Sequence, residues 1–186
     1  MVSHYTFNVV SPGSNPGTPI KQVKESNMRA ESKIKGNIGE SAVLFEFVKH
    51  GIPVALPYGD NERYDLIAEF NGKLNKIQIK YCDCSSRTTN GIVCPCASSM
   101  NHTAKREGWE SYENDVDYLA YYFPRYRTCC LVPISIIGSK KSITMNFSET
   151  KPISVNGKSV NWYKDFSFDI ILAENVGSNP TGRIAE

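Results

Sequence analysis

Residues 64–82 read YDLIAEFNGKLNKIQIKYC, and this stretch decides the fold. Apolar and polar residues alternate on both sides of an Asn-Gly pair, which predicts two strands, 64–70 and 76–82, joined by a tight turn. Asn71 and Gly72 both accept the positive φ angles of a two-residue hairpin turn. The stretch therefore predicts an antiparallel hairpin with one apolar face.

The other face of this hairpin carries an acid, an amide and a lysine. A two-residue turn pairs Phe70 with Lys73. Counting back from that pair places Asp65 opposite Gln78, with Lys80 one diagonal away and within reach of a long side chain. A longer turn would pair Asp65 with Lys80, so either register gathers the three polar residues. A solvent-facing hairpin with a cross-strand salt bridge is the alternative interpretation.

A helix is predicted upstream, over residues 39–50, because its apolar residues fall within one arc at about 100° per residue. These residues are Val43, Leu44, Phe47 and Val48. Glu40 falls within the same arc, so we expect its carboxylate to face the core. Such a carboxylate is costly unless it is paired, protonated or bound to a metal, although the favourable dipole of a first helical turn is an alternative explanation.

The rest of the chain adds further strands and a C-terminal element. Residues 92–96 suit a third strand, and residues 116–123 suit a buried strand with a hairpin partner at 129–134. Residues 98–114 are polar and predict a loop or a short helix. Residues 162–170 suit an amphipathic helix, or a strand in their second half. The sum is an α/β or α+β fold with an N-terminal helix on a mixed, mostly antiparallel sheet.

Composition limits the function classes. The chain has 186 residues, with 21 Lys and Arg against 19 Asp and Glu, a balance that excludes recognition of nucleic acid by bulk charge alone. We expect a poorly ordered leader over residues 1–30, one domain over 31–175 and a loose tail over 176–186. No segment suits a membrane span or a secretory signal, so we expect an intracellular protein.

Five short segments, in this order and strand context, resemble the PD-(D/E)XK nuclease superfamily, and more narrowly its group I intron-associated homing endonucleases. They are Gly36-Asn37-Ile38-Gly39-Glu40, Tyr64-Asp65-Leu66, Ile77-Gln78-Ile79-Lys80, the segment 115–122 (DVDYLAYY) and Leu131-Val132-Pro133-Ile134. The resemblance covers about residues 35–137. It implies a restriction-endonuclease-like core.

The resemblance also implies a site-specific DNA endonuclease that depends on Mg²⁺, with Mn²⁺ as a substitute. Glu40, Asp65 and Gln78 would hold the ion and Lys80 would lie near the attacking water, so these four are the candidate catalytic residues. The sequence departs from the superfamily pattern twice. Tyr64 stands where most relatives have proline, and Gln78 stands where most have an acid, a variant found in the homing-endonuclease group.

Partners follow from the same hypothesis. Double-stranded DNA is the expected substrate, with Lys35, Arg87 and Lys105 as candidate phosphate contacts. Cutting both strands needs two active sites, so a homodimer or homotetramer is expected. A Holliday-junction resolvase or an inactive DNA-binding module are the alternatives. The expected location is the cytoplasm, at the nucleoid, of a prokaryote or a phage-infected cell, or else an organelle.

The cysteines offer one competing metal site. Cys82 and Cys84 would pair with Cys96 and Cys94 across the turn at residues 85–91, and four thiols on one face could hold Zn²⁺. Their spacing is one residue shorter than the usual Cys-x-x-Cys knuckle, which favours small buried side chains instead.

Overall fold

A computed structural model describes residues 20–59, 61–86, 91–99, 108–154 and 160–173. The chain divides into two compact units, residues 1–34 and residues 35–186. Helix α1 runs through the boundary between them, and all of the strands described belong to the second unit. The predicted leader and tail lie mostly outside the described residues.

The bounds of the helices are as follows: α1 (Ile20–Lys49), α2 (Ile134–Ile137), a 3-10 helix (Tyr163–Phe166) and α3 (Phe168–Ala173). In chain order the strands are β1 (Val54–Ala55), β2 (Leu66–Phe70), β3 (Lys73–Tyr81), β4 (Gly91–Pro95), β5 (Ala97–Ser99), β6 (Trp109–Ser111), β7 (Tyr118–Phe123), β8 (Thr128–Pro133), β9 (Ser142–Asn146) and β10 (Asn161–Trp162). Among the described residues, no helix is long and apolar enough to cross a membrane.

The central sheet has the strand order β1-β2-β3-β7-β8. Strands β3 and β7 are parallel, and the other neighbours in this sheet are antiparallel. The predicted mixed, mostly antiparallel sheet is therefore confirmed. Because β3 and β7 run the same way, the segments that follow them leave the sheet at the same edge.

The hairpin of β2 and β3 closes as the Asn-Gly pair predicts. Phe70 pairs with Lys73, and Asn71 and Gly72 have φ angles of 61° and 65°. Both angles lie in the left-handed region that a two-residue turn requires. Of the two predicted registers, the one set by the two-residue turn is observed.

Two cores lie on the two faces of the central sheet. On the helix side, Val43 and Phe47 of α1 are fully buried against the apolar face of the hairpin and against α3. The other core lies under the small sheet β10-β9-β4 and includes Tyr121. The predicted arc of α1 is too wide, since Leu44 is half-buried and Val48 is 60% exposed.

The end of α1 is fixed by backbone and side-chain contacts. Gly51 has a φ of 68°, and the N–H groups of Gly51 and Ile52 donate to the carbonyls of Val48 and Phe47. This pattern is a Schellman cap. His50, at the same end, contacts Asp169 of α3.

Three sequence predictions need correction at the level of elements. The strand at 91–95 pairs along its length with β9 and meets the segment after β3 at the bridge of Ser85 with Ile92, in a register other than the predicted one. Gly91 permits the approach to β9, because a Cβ there would lie 2.6 Å from Thr144 Cγ2. Residues 98–114 contain the paired strands β5 and β6. The C-terminal segment is a 3-10 helix followed by α3, separated at Ser167.

Candidate active site

Asp65 lies directly before β2 and lines a cleft together with Glu40 of α1. Its backbone N–H donates to the carbonyl of Ile77 at 2.8 Å, just beyond the last regular pair of the hairpin, Leu66 with Ile77. One carboxylate oxygen, Oδ2, accepts hydrogen bonds from Gln78 Nε2 and from the backbone N–H of Ile79, both at 2.6 Å. The predicted juxtaposition of Asp65 and Gln78 is therefore present.

The surroundings of Asp65 disfavour the charged form of its carboxyl group. Burial raises the pKa of its carboxyl above the ordinary value, and the backbone hydrogen bond from Ile79 opposes that rise. Repulsion from Glu40 raises this pKa further, and attraction to Lys80 lowers it. A cation bound near both carboxylates would relieve this repulsion.

Glu40 and Asp65 line one cleft of about 420 Å³ between α1 and the hairpin. The expectation that Glu40 faces the core is wrong, because its side chain is exposed. Val43, one helical turn later, packs on the sheet, whereas at Glu40 the helix borders the cleft beside Leu56. Glu62 lines an adjoining part of the same cleft and is an acid that the sequence did not single out.

Lys80 is positioned by a residue far away in sequence. Its Nζ donates to the Tyr112 hydroxyl at 2.8 Å. Tyr112 is 4% exposed, so its ring is fixed by packing. A lysine amine on a flexible four-carbon chain is thereby held in one place on the polar face of the hairpin.

Arg63 fixes the segment that carries Tyr112. Its guanidinium lies 4.8 Å from the centroid of the Tyr112 ring and donates from Nη2 to the carbonyl of Ser111 at 2.9 Å. It also forms ion pairs with Glu110 and, at 2.9 Å from Nε, with Asp115. The sequence did not point to Arg63 or Tyr112, because a contact between residues so far apart leaves no local signal.

The candidate phosphate contacts are only partly described. Lys35 Nζ pairs with Asp83 Oδ2 at 3.0 Å, at the end of β3, and this hydrogen bond is the main cause that lowers the pKa of Asp83. Arg87 and Lys105 lie outside the described residues.

The structure does not assemble the four-thiol zinc site. The N–H of Val93 donates to the carbonyl of Cys84 at 2.9 Å, so Cys84 lies opposite Val93 and not opposite Cys94 as predicted. The pairing of β4 with β9 sets this register. Cys84 is exposed, whereas Cys82, Cys94 and Cys96 are buried. A hydrogen bond with Cys82 and burial raise the pKa of the Cys94 thiol, which opposes the thiolate form that zinc needs.

In the described part of the chain, no group of three or more His, Cys, Asp or Glu side chains is placed to hold a metal ion. Glu40 and Asp65 are two hard oxygen donors at one cleft, which is the usual protein share of an Mg²⁺ site whose other ligands are water and substrate phosphate. The residues present therefore fit Mg²⁺.

Comparison with known proteins agrees with this geometry. The sequence model of the PD-(D/E)XK endonuclease family matches residues 30–169, three quarters of the chain. The chain belongs to the PD-(D/E)XK endonuclease family. This match covers α1 from residue 30 onward, the hairpin and the central sheet, so the cleft of Glu40 and Asp65 lies within the family's region.

The fold is also that of a solved structure. The chain is similar to a bacterial homing endonuclease with a TM-score of 0.63 and 22% identity, over 81% of this chain and 99% of that one. No curated protein matches the sequence. This PD-(D/E)XK endonuclease thus has the restriction-endonuclease-like core that its sequence motifs imply.

Proposed function

We propose that this PD-(D/E)XK endonuclease cuts DNA at specific sites, depends on Mg²⁺, and acts as a homing endonuclease. The observation that carries the proposal is the pair of carboxylates, Glu40 and Asp65, on one cleft beside Gln78. The bacterial homing endonuclease with a similar fold supports the homing role. A location in the cytoplasm, at the nucleoid, goes with this proposal.

Glu40 and Asp65 would hold Mg²⁺ with the amide oxygen of Gln78 as a third donor. Gln78 now presents Nε2 to Asp65, so its amide has to turn over before Oε1 faces an ion. When bound, the ion would polarise the phosphoryl oxygen and lower the pKa of a water molecule. Mn²⁺, which takes similar oxygen ligands, should replace Mg²⁺.

Lys80 would act on the attacking water or on the phosphate. Tyr112 accepts a hydrogen bond from its amine, so the positive end is held at a fixed point and does not swing in solvent. A fixed ammonium stabilises negative charge that develops in the transition state. The same amine, when neutral, could instead accept a proton from the water.

The proposal also includes the residues that contact DNA and the oligomeric state of the enzyme. Lys35 would bind a phosphate by exchanging its present partner, Asp83, and Arg87 and Lys105 would add further contacts. The described part of one chain offers one such cleft, and cutting both strands needs two. A homodimer or homotetramer would supply the second one.

Cleavage of a random duplex library, followed by sequencing of the cut ends, tests the proposal. We expect a defined site to be cut in Mg²⁺ or Mn²⁺ and not in EDTA, and Asp65→Asn and Lys80→Ala each to lose cleavage while still shifting DNA in a gel. A four-way junction is the parallel substrate. Symmetric cutting of the junction with no cutting of linear duplex would replace the homing role by junction resolution, and full activity in either variant would remove the site assignment.

A further inference from the structure

A second cavity, of about 360 Å³, lies at the edge of the sheet where β3 and β7 end. Its lining includes Ser85, Ser86, Arg125, Tyr126, Phe147 and Ser148, and we name it the Arg125 pocket. None of these residues belongs to the cleft of Glu40 and Asp65.

A stack of aromatic rings forms one wall of the Arg125 pocket. Tyr126 and Phe147 are parallel within 3°, with centroids 4.0 Å apart, and Phe147 stacks in turn on Tyr163 at 4.8 Å. Tyr126 is the outermost ring and remains 41% exposed. Stacking on a partly buried partner holds the exposed ring in a fixed orientation, so a ligand that packs against it loses little side-chain entropy of the protein.

The charge of the Arg125 pocket is opposite to that of the cleft. Its one charged lining residue among those the structure describes is Arg125, whose guanidinium lies 5.7 Å from the centroid of the Tyr126 ring. The remaining polar lining consists of serines and backbone. A guanidinium, hydroxyl groups and a fixed aromatic ring suit an anion with an attached flat or cyclic group, and do not suit a cation.

Arg125 lies a short way along the sheet from Lys80. Tyr121 of β7 pairs with Lys80, and Arg125 follows Tyr121 by four residues, which span at most about 14 Å. Adding the spacing of about 4.8 Å between neighbouring strands puts the Cα atoms of Lys80 and Arg125 at most about 19 Å apart. B-form DNA rises about 3.4 Å for each step of one strand. A duplex that runs along β7 with its scissile phosphate at Lys80 would therefore have a phosphate at Arg125 within about six steps.

We propose that the Arg125 pocket binds one nucleotide of the DNA strand that flanks the cleaved bond. Arg125 pairs with its phosphate, and the exposed ring of Tyr126 packs against its sugar or base. This subsite rests on the proposed DNA cleavage. It contributes DNA-binding energy that does not depend on a metal ion in the cleft of Glu40 and Asp65.

The test measures binding without cleavage. Fluorescence anisotropy of a labelled random-sequence duplex is recorded in EDTA over a series of salt concentrations, for the full chain and four variants. The variants are Arg125→Ala, Tyr126→Ala, Tyr126→Phe and Arg127→Gln. Arg127 is the matched control, since it is an exposed cation of the same turn but does not line the Arg125 pocket.

We expect Arg125→Ala to weaken binding about tenfold and to reduce the slope of log affinity against log salt by about one. Tyr126→Ala should weaken binding similarly without changing that slope, because a ring carries no charge, and Tyr126→Phe should bind as the wild type. Arg127→Gln should stay within about twofold. Melting curves check that every variant is folded.

Two results would overturn the subsite. One is wild-type affinity in folded Arg125→Ala and Tyr126→Ala, and the other is an equal loss in Arg127→Gln and Arg125→Ala, which would reduce the effect to general charge. Absence of any salt-dependent binding by the wild-type chain would instead contradict the proposed function itself.

Discussion

The Asp65 carboxylate both accepts hydrogen bonds within the hairpin and places a charge in a partly buried position, and the effects of the two on stability can be measured separately. The carboxylate accepts two short hydrogen bonds within the hairpin, yet its pKa is raised by burial and by the neighbouring charge of Glu40. A raised carboxyl pKa means that the folded state disfavours the ionised form. The free energy of unfolding therefore falls as the pH rises from the ordinary value of 3.8 through the raised one.

We expect Asp65→Asn, in EDTA at neutral pH, to melt higher than the wild type by about 2–4 °C. The difference should disappear below the ordinary pKa of the carboxyl, where wild-type Asp65 is also neutral. Added Mg²⁺ should raise the melting temperature of the wild type and leave that of the variant unchanged. A variant that melts lower in EDTA would show that the charged hydrogen bonds to Gln78 and Ile79 outweigh the burial of the charge.

Tyr112 should matter for cleavage more than for stability. Tyr112→Phe keeps the ring beside Arg63 and removes only the hydroxyl that accepts from Lys80. We expect the cleavage rate to fall about tenfold or more with DNA affinity and melting temperature nearly unchanged. Tyr122→Phe is the control, since Tyr122 packs against Tyr81. Equal cleavage rates for Tyr112→Phe and Tyr122→Phe would mean that cleavage does not depend on the hydrogen bond between Lys80 and Tyr112.

At the scale of elements, α1 and α3 are tied by one titratable contact. His50 Nε2 lies 2.9 Å from Asp169 Oδ1, and Nδ1 lies 2.7 Å from the carbonyl of Glu46. Burial lowers the pKa of His50, but these two hydrogen bonds and the charge of Asp169 raise it more, so the net shift is upward. The contact thus stabilises the fold below the ordinary pKa of 6.5 and loses that effect as the pH rises through the shifted value.

We therefore expect His50→Gln to lower the melting temperature more at about pH 5.5 than at about pH 9. Asp169→Asn should show the same dependence on pH, because it removes the partner of the charged imidazole. A loss that is equal at both pH values would indicate a packing role for His50, which lies near the ring of Phe168.

Local chemistry explains which elements were predictable. The hairpin and its register follow from the positive φ angles that Asn71 and Gly72 accept, and this register brings Asp65 near enough to Gln78 for their side chains to form a hydrogen bond. The partner of β4 could not be predicted, because its pairing with β9 depends on a segment far along the chain. Glu40 is predicted to face the core but lies exposed on the cleft that it shares with Asp65, since a helical wheel gives the direction of a side chain and not where the sheet beneath it ends.

At the scale of the whole molecule, the family match covers residues 30–169, and the helix-side core extends just beyond it to Ile171 and Leu172. We expect a chain truncated to residues 31–175 to keep its cleavage activity and its melting temperature, because both cores and the cleft lie within it. A nicking assay and a melting curve on the truncated chain check this. Loss of cleavage with a normal melting curve would assign DNA contacts to the removed ends.

The parallel pairing of β3 with β7 has a consequence for how the protein is made. The hairpin of β2 and β3 can form within microseconds of leaving the ribosome, but the other neighbour of β3 begins only at Tyr118. At about 5–20 residues synthesised per second, the edge of β3 stays open for roughly 2–8 s. An unpaired strand edge can join the same strand of another nascent chain. Soluble yield should therefore depend on how quickly residues 82–123 follow the hairpin, more than on how stable the finished enzyme is.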